Sequence, residues 1–153
     1  MNPKHILVPF NTSSESKEAF KEALKIAKKY EAKITVVYFW TTRMDNEFIG
    51  YTSGVKFIES ELFLWGLKNL PKEFQRLELK AFKEGIQMNE DIVKCEIISE
   101  GIAKYAKRHN IMLIVIGSNE HKVFKKHPIG KEASEVAKYC HCTVKIIRKK
   151  SKK

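Results

Sequence analysis

The sequence predicts an α/β domain: an open, five-stranded, mainly parallel sheet with helices on both faces, a Rossmann-like arrangement. Three observations carry that expectation. Short apolar, β-branched runs recur along the chain, and segments of helical period separate them. The run at 111–116 is apolar at every position, as in a strand buried on both faces. With 153 residues, 43% of them apolar, the chain suffices for one domain with a core and is too short for two ordinary ones.

The first strand is HILVPF (5–10), closed by Pro9 and then by Asn11-Thr12-Ser13-Ser14, a loop rich in helix N-cap residues. Phe20, Ala23, Leu24, Ala27 and Tyr30 recur at helical spacing with lysines between them, so 15–30 is an amphipathic helix. AKITVVYFW (32–40) is β-branched and aromatic and too short for a helix; it is a second buried strand. Residues 41–54 contain Gly50, Ser53 and Gly54 without a clear period and read as a loop. The pattern over 55–87 is helical, with Phe57, Ile58, Leu62 and Trp65 in one stripe. Pro71 is expected to interrupt it, and Phe74, Leu77, Ala81 and Phe82 resume it. This spacing accounts for most of the aromatic set as core, while Phe63 and Leu64 lie beside the stripe and widen it.

Residues 92–98 read as a third strand with Val93, Cys95 and Ile97 on one face. Ser99 is expected to cap the next helix, whose Ile102, Tyr105 and Ala106 face inward. The 111–116 strand ends at Gly117-Ser118, and a polar, lysine-rich loop covers 119–129. A helix over 131–139 and a strand over 143–148 follow. Ligands of such sheets bind beyond the carboxyl ends of the strands, at the switch in strand order. Here those ends are 9–14, 39–42 and 117–131.

The formal net charge is +11, yet RKKSKK (148–153) carries five of those charges and leaves +6 for the body. The expectation is one domain over 1–147 and a basic, disordered tail over 148–153 that meets nucleic acid only non-specifically, if at all. No run of about 18 apolar residues predicts a membrane span, and no signal peptide is evident, which points to the cytoplasm. Cys95, Cys140 and Cys142 are odd in number and read as reduced thiols. Cys140-His141-Cys142 offers at most three ligands to a zinc ion that wants four, and in an extended segment His141 points away from the two cysteines. No metal site is expected. His5, His109, His121, His127 and His141 stand without a nucleophile and orienting acid at a recognisable spacing, so no catalytic residues are assigned and the chain is not expected to be an enzyme.

At this point the chain resembles the universal stress protein family over nearly its whole length. ILVPFNTSSES is similar to the family's first strand and its Val-Pro-Thr-Asp exit; LIVIGS (113–118) is similar to its fourth strand. Cys142-Thr143-Val144 stands where members often read Cys-Pro-Val. The phosphate loop Gly-x2-Gly-x9-Gly-Ser/Thr is matched at its first and third glycines by Gly117 and Gly130. The resemblance implies an adenine-nucleotide α-hydrolase-like fold and a homodimer paired through the last strand. It also implies a pocket for ATP or AMP lined by Pro9, Asn11, Phe39, Gly117, Ser118, Glu120, Gly130 and Lys131.

The departures bear on that pocket. Asn11 replaces the family's acidic residue, Glu120 the second loop glycine, and Lys131 the final Ser/Thr; Glu96 and Ile98 stand where a Gly-x-Pro turn is usual. Glycine lets the backbone turn its N–H groups toward a phosphate, whereas Glu120 adds a Cβ and a carboxylate. Like charges about 4 Å apart cost roughly 4 kcal/mol at an effective dielectric near 20, against about 8 kcal/mol for a whole micromolar ligand. The leading expectation is therefore a non-enzymatic stress-response module with a degenerate nucleotide pocket, no certain cofactor and an unknown protein partner. The alternative is an ATP or AMP sensor in which Lys131 and its neighbouring lysines replace glycine chemistry.

Overall fold

A computed structural model describes residues 2–41, 55–118 and 131–148, with side chains placed for all of these except 55–67, 131 and 132. Among the described residues nine elements alternate: β1 (His5–Pro9), α1 (Ser14–Tyr30), β2 (Lys33–Trp40), α2 (Val55–Lys83), β3 (Met88–Lys94), α3 (Ile98–Arg108), β4 (Leu113–Ser118), α4 (Lys131–Tyr139) and β5 (Thr143–Arg148). Every strand pairing is parallel, in the order β3-β2-β1-β4-β5. The expected five-stranded open sheet is present.

Two apolar clusters divide along the sheet's faces, because successive strand side chains alternate sides. Ile6, Val8, Ile34, Val36 and Val115 point toward Phe20, Ala23 and Ala27 of α1 and Leu70, Phe74 and Leu77 of α2. Leu7, Val37, Ile114 and Ile116 point toward Ile102 and Ala106 of α3 and Ala133 and Val136 of α4. The alanines on α1 keep that helix close to the strands.

Four expectations need correction. Pro71 lies inside α2, which runs unbroken for 29 residues. A proline costs a helix about 3 kcal/mol, but burying one Leu or Phe side chain contributes roughly 1.5–3 kcal/mol. Leu70, Phe74, Leu77 and Ala81 are all buried around it, so packing outweighs the lost hydrogen bond. Phe82, by contrast, is 81% exposed and lies off the stripe. The third strand begins and ends four residues earlier than the apolar pattern suggests, since β2 pairs with it from Ile34↔Met88 to Trp40↔Lys94. Cys95 and Ile98 pack beneath the sheet from the turn and the helix start. Finally, β4 starts and ends two residues later, so Gly117 and Ser118 belong to the strand and pair with Ile147 and Arg148.

Arg148, assigned above to the basic tail, is thus the last residue of β5. Residues 149–153, the loop at 42–54, the stripe side chains of Phe57, Ile58, Leu62 and Trp65, and Phe63 and Leu64 beside it lie outside the described positions. Among the described residues, no helix is long and apolar enough to cross a membrane.

Candidate functional site

The strand order sets the place. From β1 the chain winds to β2 and β3 on one side, then crosses back to β4 and β5 on the other. Neighbouring β1 and β4 run parallel in register (Ile6↔Leu113, Leu7↔Ile114), so the turns after Pro9 and after Ser118 leave the sheet at the same end. This is the switch point at which a parallel α/β sheet opens a crevice.

The β1 side of the crevice is built locally. Asn11 Oδ1 accepts hydrogen bonds from the backbone N–H of Ser13 (3.1 Å) and from its hydroxyl, closing an Asx turn. Thr12 sits within it at φ 64°, the left-handed region. Ser13 then caps α1 by accepting from the N–H of Ser16, whose own hydroxyl donates back to the Ser13 carbonyl at 2.9 Å. With its oxygen engaged, the exposed Asn11 retains carboxamide N–H donors, where the family's acid offers only acceptors.

On the β4 side, Gly117 meets α1 directly. A Cβ there would stand 2.4 Å from the carbonyl carbon and oxygen of Glu15 and 2.7 Å from the Ser16 nitrogen. The glycine is therefore required by the approach of a helix to a strand, whatever ligand the loop holds. Ser118 is 2% exposed, and its hydroxyl is the one buried side-chain polar atom without a hydrogen-bond partner among the described residues. An enclosed hydroxyl left unpartnered costs about 1–3 kcal/mol, so this atom asks for an acceptor or donor.

Phe39 is buried beneath the β2 exit and meets Tyr105 edge-on, with ring centres 5.8 Å apart. Its side chain is core, and only its backbone is available to a ligand. Beside it, the Thr41 hydroxyl donates to the Glu96 carbonyl at 2.7 Å, tying the β2 and β3 exits together. α3 carries no side-chain cap: Ile97 occupies the cap position, and Ser99, expected there, is one residue inside the helix. The Ser99 hydroxyl instead donates to Glu135 Oε2 of α4 at 2.7 Å. That link, which places a carboxylate at the positive end of α3, joins residues 36 positions apart and left no local sequence signal.

Pro9, Asn11, Gly117 and Ser118 are thus brought to one end of the sheet, and Lys131 is the first residue of α4. Glu120, Gly130 and the Lys131 side chain lie outside the described positions. For an adenine nucleotide, the exposed Asn11 side chain and the α1 N-terminus fit phosphate or ribose oxygens. Phe39 fits only through its backbone.

The histidines lie elsewhere. His5 Nε2 shares a hydrogen bond with Thr35 Oγ1 at 2.6 Å, at the opposite end of β1 from the crevice, and burial pushes its pKa below 6.5. His109 stacks on Tyr105, His141 is exposed, and His121 and His127 lie outside the described positions. Among the described residues, no group of three or more His, Cys, Asp or Glu side chains is placed to hold a metal ion.

Comparison with known proteins decides the lineage. The sequence profile of the universal stress protein family matches residues 2–148. The chain belongs to that family. A universal stress protein of Methanocaldococcus jannaschii is 27% identical over 151 residues, covering 97% of this chain and 84% of the relative. The solved structure of the universal stress protein UspA from Lactobacillus plantarum superposes with a TM-score of 0.74 at 27% identity, covering 95% of this chain and 97% of that one. A universal stress protein family member from Arabidopsis thaliana, solved with AMP bound, superposes at 0.63 with 17% identity, covering 97% and 94%. It shares the fold.

Proposed function

We propose that this universal stress protein is a non-enzymatic regulatory module that holds an adenine nucleotide, ATP or AMP, at the β1/β4 crevice. The observation carrying this reading is the switch in strand order: the carboxyl ends of β1 and β4 lie side by side, where parallel α/β sheets take their ligands. The capped N-terminus of α1 and the start of α4 at Lys131 supply the positive ends of two helices to the same region. AMP bound to the structurally similar plant protein supports the same ligand class. Affinity is low in this reading, because Glu120 brings a carboxylate where the family has glycine. β5 is an edge strand, and we place a second copy along it, giving a homodimer that multi-angle light scattering would measure.

Thermal denaturation with millimolar ATP or AMP tests the reading. A rise in melting temperature that Lys131→Glu abolishes supports it. A flat response in the unaltered protein sinks it in favour of a second reading, in which Asn11 and Glu120 have closed the crevice to nucleotides and regulation runs through a protein partner alone. Chromatography of denatured protein for carried ATP or AMP distinguishes the two again.

A further inference from the structure

The end of the sheet opposite the crevice carries an open cleft of about 400 Å³. It forms where the flank of α1 overhangs the edge strand β5. Glu22, Lys25, Ile26, Lys29 and Tyr30 recur at i, i+3, i+4, i+7 and i+8. They therefore share one stripe, beside the Phe20, Ala23 and Ala27 stripe that packs on the strands. Across from them stand Leu113, the first residue of β4, and Lys145 of β5.

The cleft joins an apolar floor to a cationic rim. Leu113 is buried in the α1-side core, and Ile26 packs against the same cluster. The lining holds three lysines and one carboxylate, a net of two positive charges. Lys145 Nζ is engaged by Glu22 Oε1 at 2.9 Å, and that pair cancels. Lys25 and Lys29 remain, one helical turn apart on the same face, and neither has a carboxylate within ion-pairing distance among the described residues. Lys29 Nζ lies 5.2 Å from the centre of the Tyr30 ring, and the Lys4 ammonium donates to the Tyr30 carbonyl at 3.3 Å, so the far end of the cleft is braced. Lysines on a flat helix face are ordinary solvated charges; here they border a concave apolar floor, the composition of a small-molecule site. We propose that this cleft is a second ligand site, which takes a small organic anion. A phosphate monoester or carboxylate head lies between Lys25 and Lys29, and an aromatic or short aliphatic body rests on Ile26 and Leu113. The lengths of β1 and β4 separate it from the crevice, so it stands or falls independently of any nucleotide there.

Methyl and amide NMR of the full chain, titrated with phenyl phosphate, tests the proposal. The Ile26 and Leu113 methyl signals are expected to move and saturate with a dissociation constant of about a millimolar or below. Lys25→Gln and Lys29→Gln should each weaken that binding about tenfold, as loss of one charge-assisted hydrogen bond does, with the remaining signals showing that both variants are folded. Lys131→Glu should leave it unchanged. Inorganic phosphate, which has no body, and phenol, which has no charge, should each bind at least about tenfold more weakly than phenyl phosphate. Unmoved Ile26 and Leu113 signals overturn the proposal, as do shifts confined to the Asn11 and Ser118 amides of the crevice. Undiminished binding by both glutamine variants, or equal binding of inorganic phosphate, overturns it too. Sedimentation with phosphatidylcholine vesicles containing phosphatidic acid, undiminished by saturating phenyl phosphate, would assign these lysines to a lipid surface and also overturn it.

Discussion

Helices α1 and α3 both start at the crevice end of the sheet, and both meet the sheet through a glycine, but they are fastened differently. α1 is organised by its own neighbours: Asn11 orders the turn, Ser13 caps the helix, and the Glu15–Ser16 peptide rests on Gly117. α3 lacks a cap of its own and depends on Glu135 from α4, while its Gly101 faces the Cys95 side chain, with the sulfur 2.8 Å and Cβ 2.9 Å from a would-be methyl. The first joint sets backbone against backbone and has nowhere to move. The second sets backbone against a sulfur that can turn aside and a Cβ that cannot.

The sharpest way to break this comparison is to add one methyl to each glycine. Gly117→Ala should cost more than about 3 kcal/mol, at the upper end for overpacking, because a peptide unit must shift; urea unfolding measures it. Gly101→Ala should cost about 1–3 kcal/mol, since the Cys95 sulfur can rotate away and only its Cβ must be displaced. Equal losses would mean that α1 yields as readily as a thiol. A smaller contrast comes from the serines. Ser13→Ala and Ser99→Ala should each cost about 1 kcal/mol, yet only the second should be partly restored by adding Glu135→Gln, which removes the stranded carboxylate.

The smallest effect sits further along α1, where the Lys145 hydrogen bond holds the Glu22 carboxyl below its ordinary 4.5. A depressed carboxyl stabilises the fold above its unfolded value, and that stabilisation is lost as pH falls through the lower folded value. Glu22→Gln should therefore flatten the acid side of the stability profile below 4.5 and leave neutral behaviour little changed. An unaltered acid limb would show that the α1–β5 ion pair contributes nothing measurable.

The same contrast explains what the residues disclosed. The α1 joint was legible because its signals are local: a strand ending in proline, four cap-forming residues, then helical spacing. Parallel strands buried on both faces announced themselves at 5–10, 32–40 and 111–116 for a similar reason. The α3 joint was not legible. β3 is an edge strand of largely exposed polar residues, MNEDIVK, so its position is fixed by pairing with β2 and not by its own pattern. Ser99 looked like a cap because nothing in its surroundings foretold Glu135. The unpartnered state of Ser118 is likewise a property of enclosure, which no spacing reports.

Strand order carries a further consequence, for synthesis on the ribosome. β1, first in the sequence, occupies the middle of the sheet, and its second edge is met only by β4. A nascent chain that has released residues up to 94 can assemble β1, β2 and β3, but it presents the bare main chain of β1 to solvent until residue 118 emerges. Such edges recruit other extended chains. Interrupting translation within α3 should therefore leave a half-sheet that aggregates, whereas a stop just beyond β5, which covers the far edge of β4, should not.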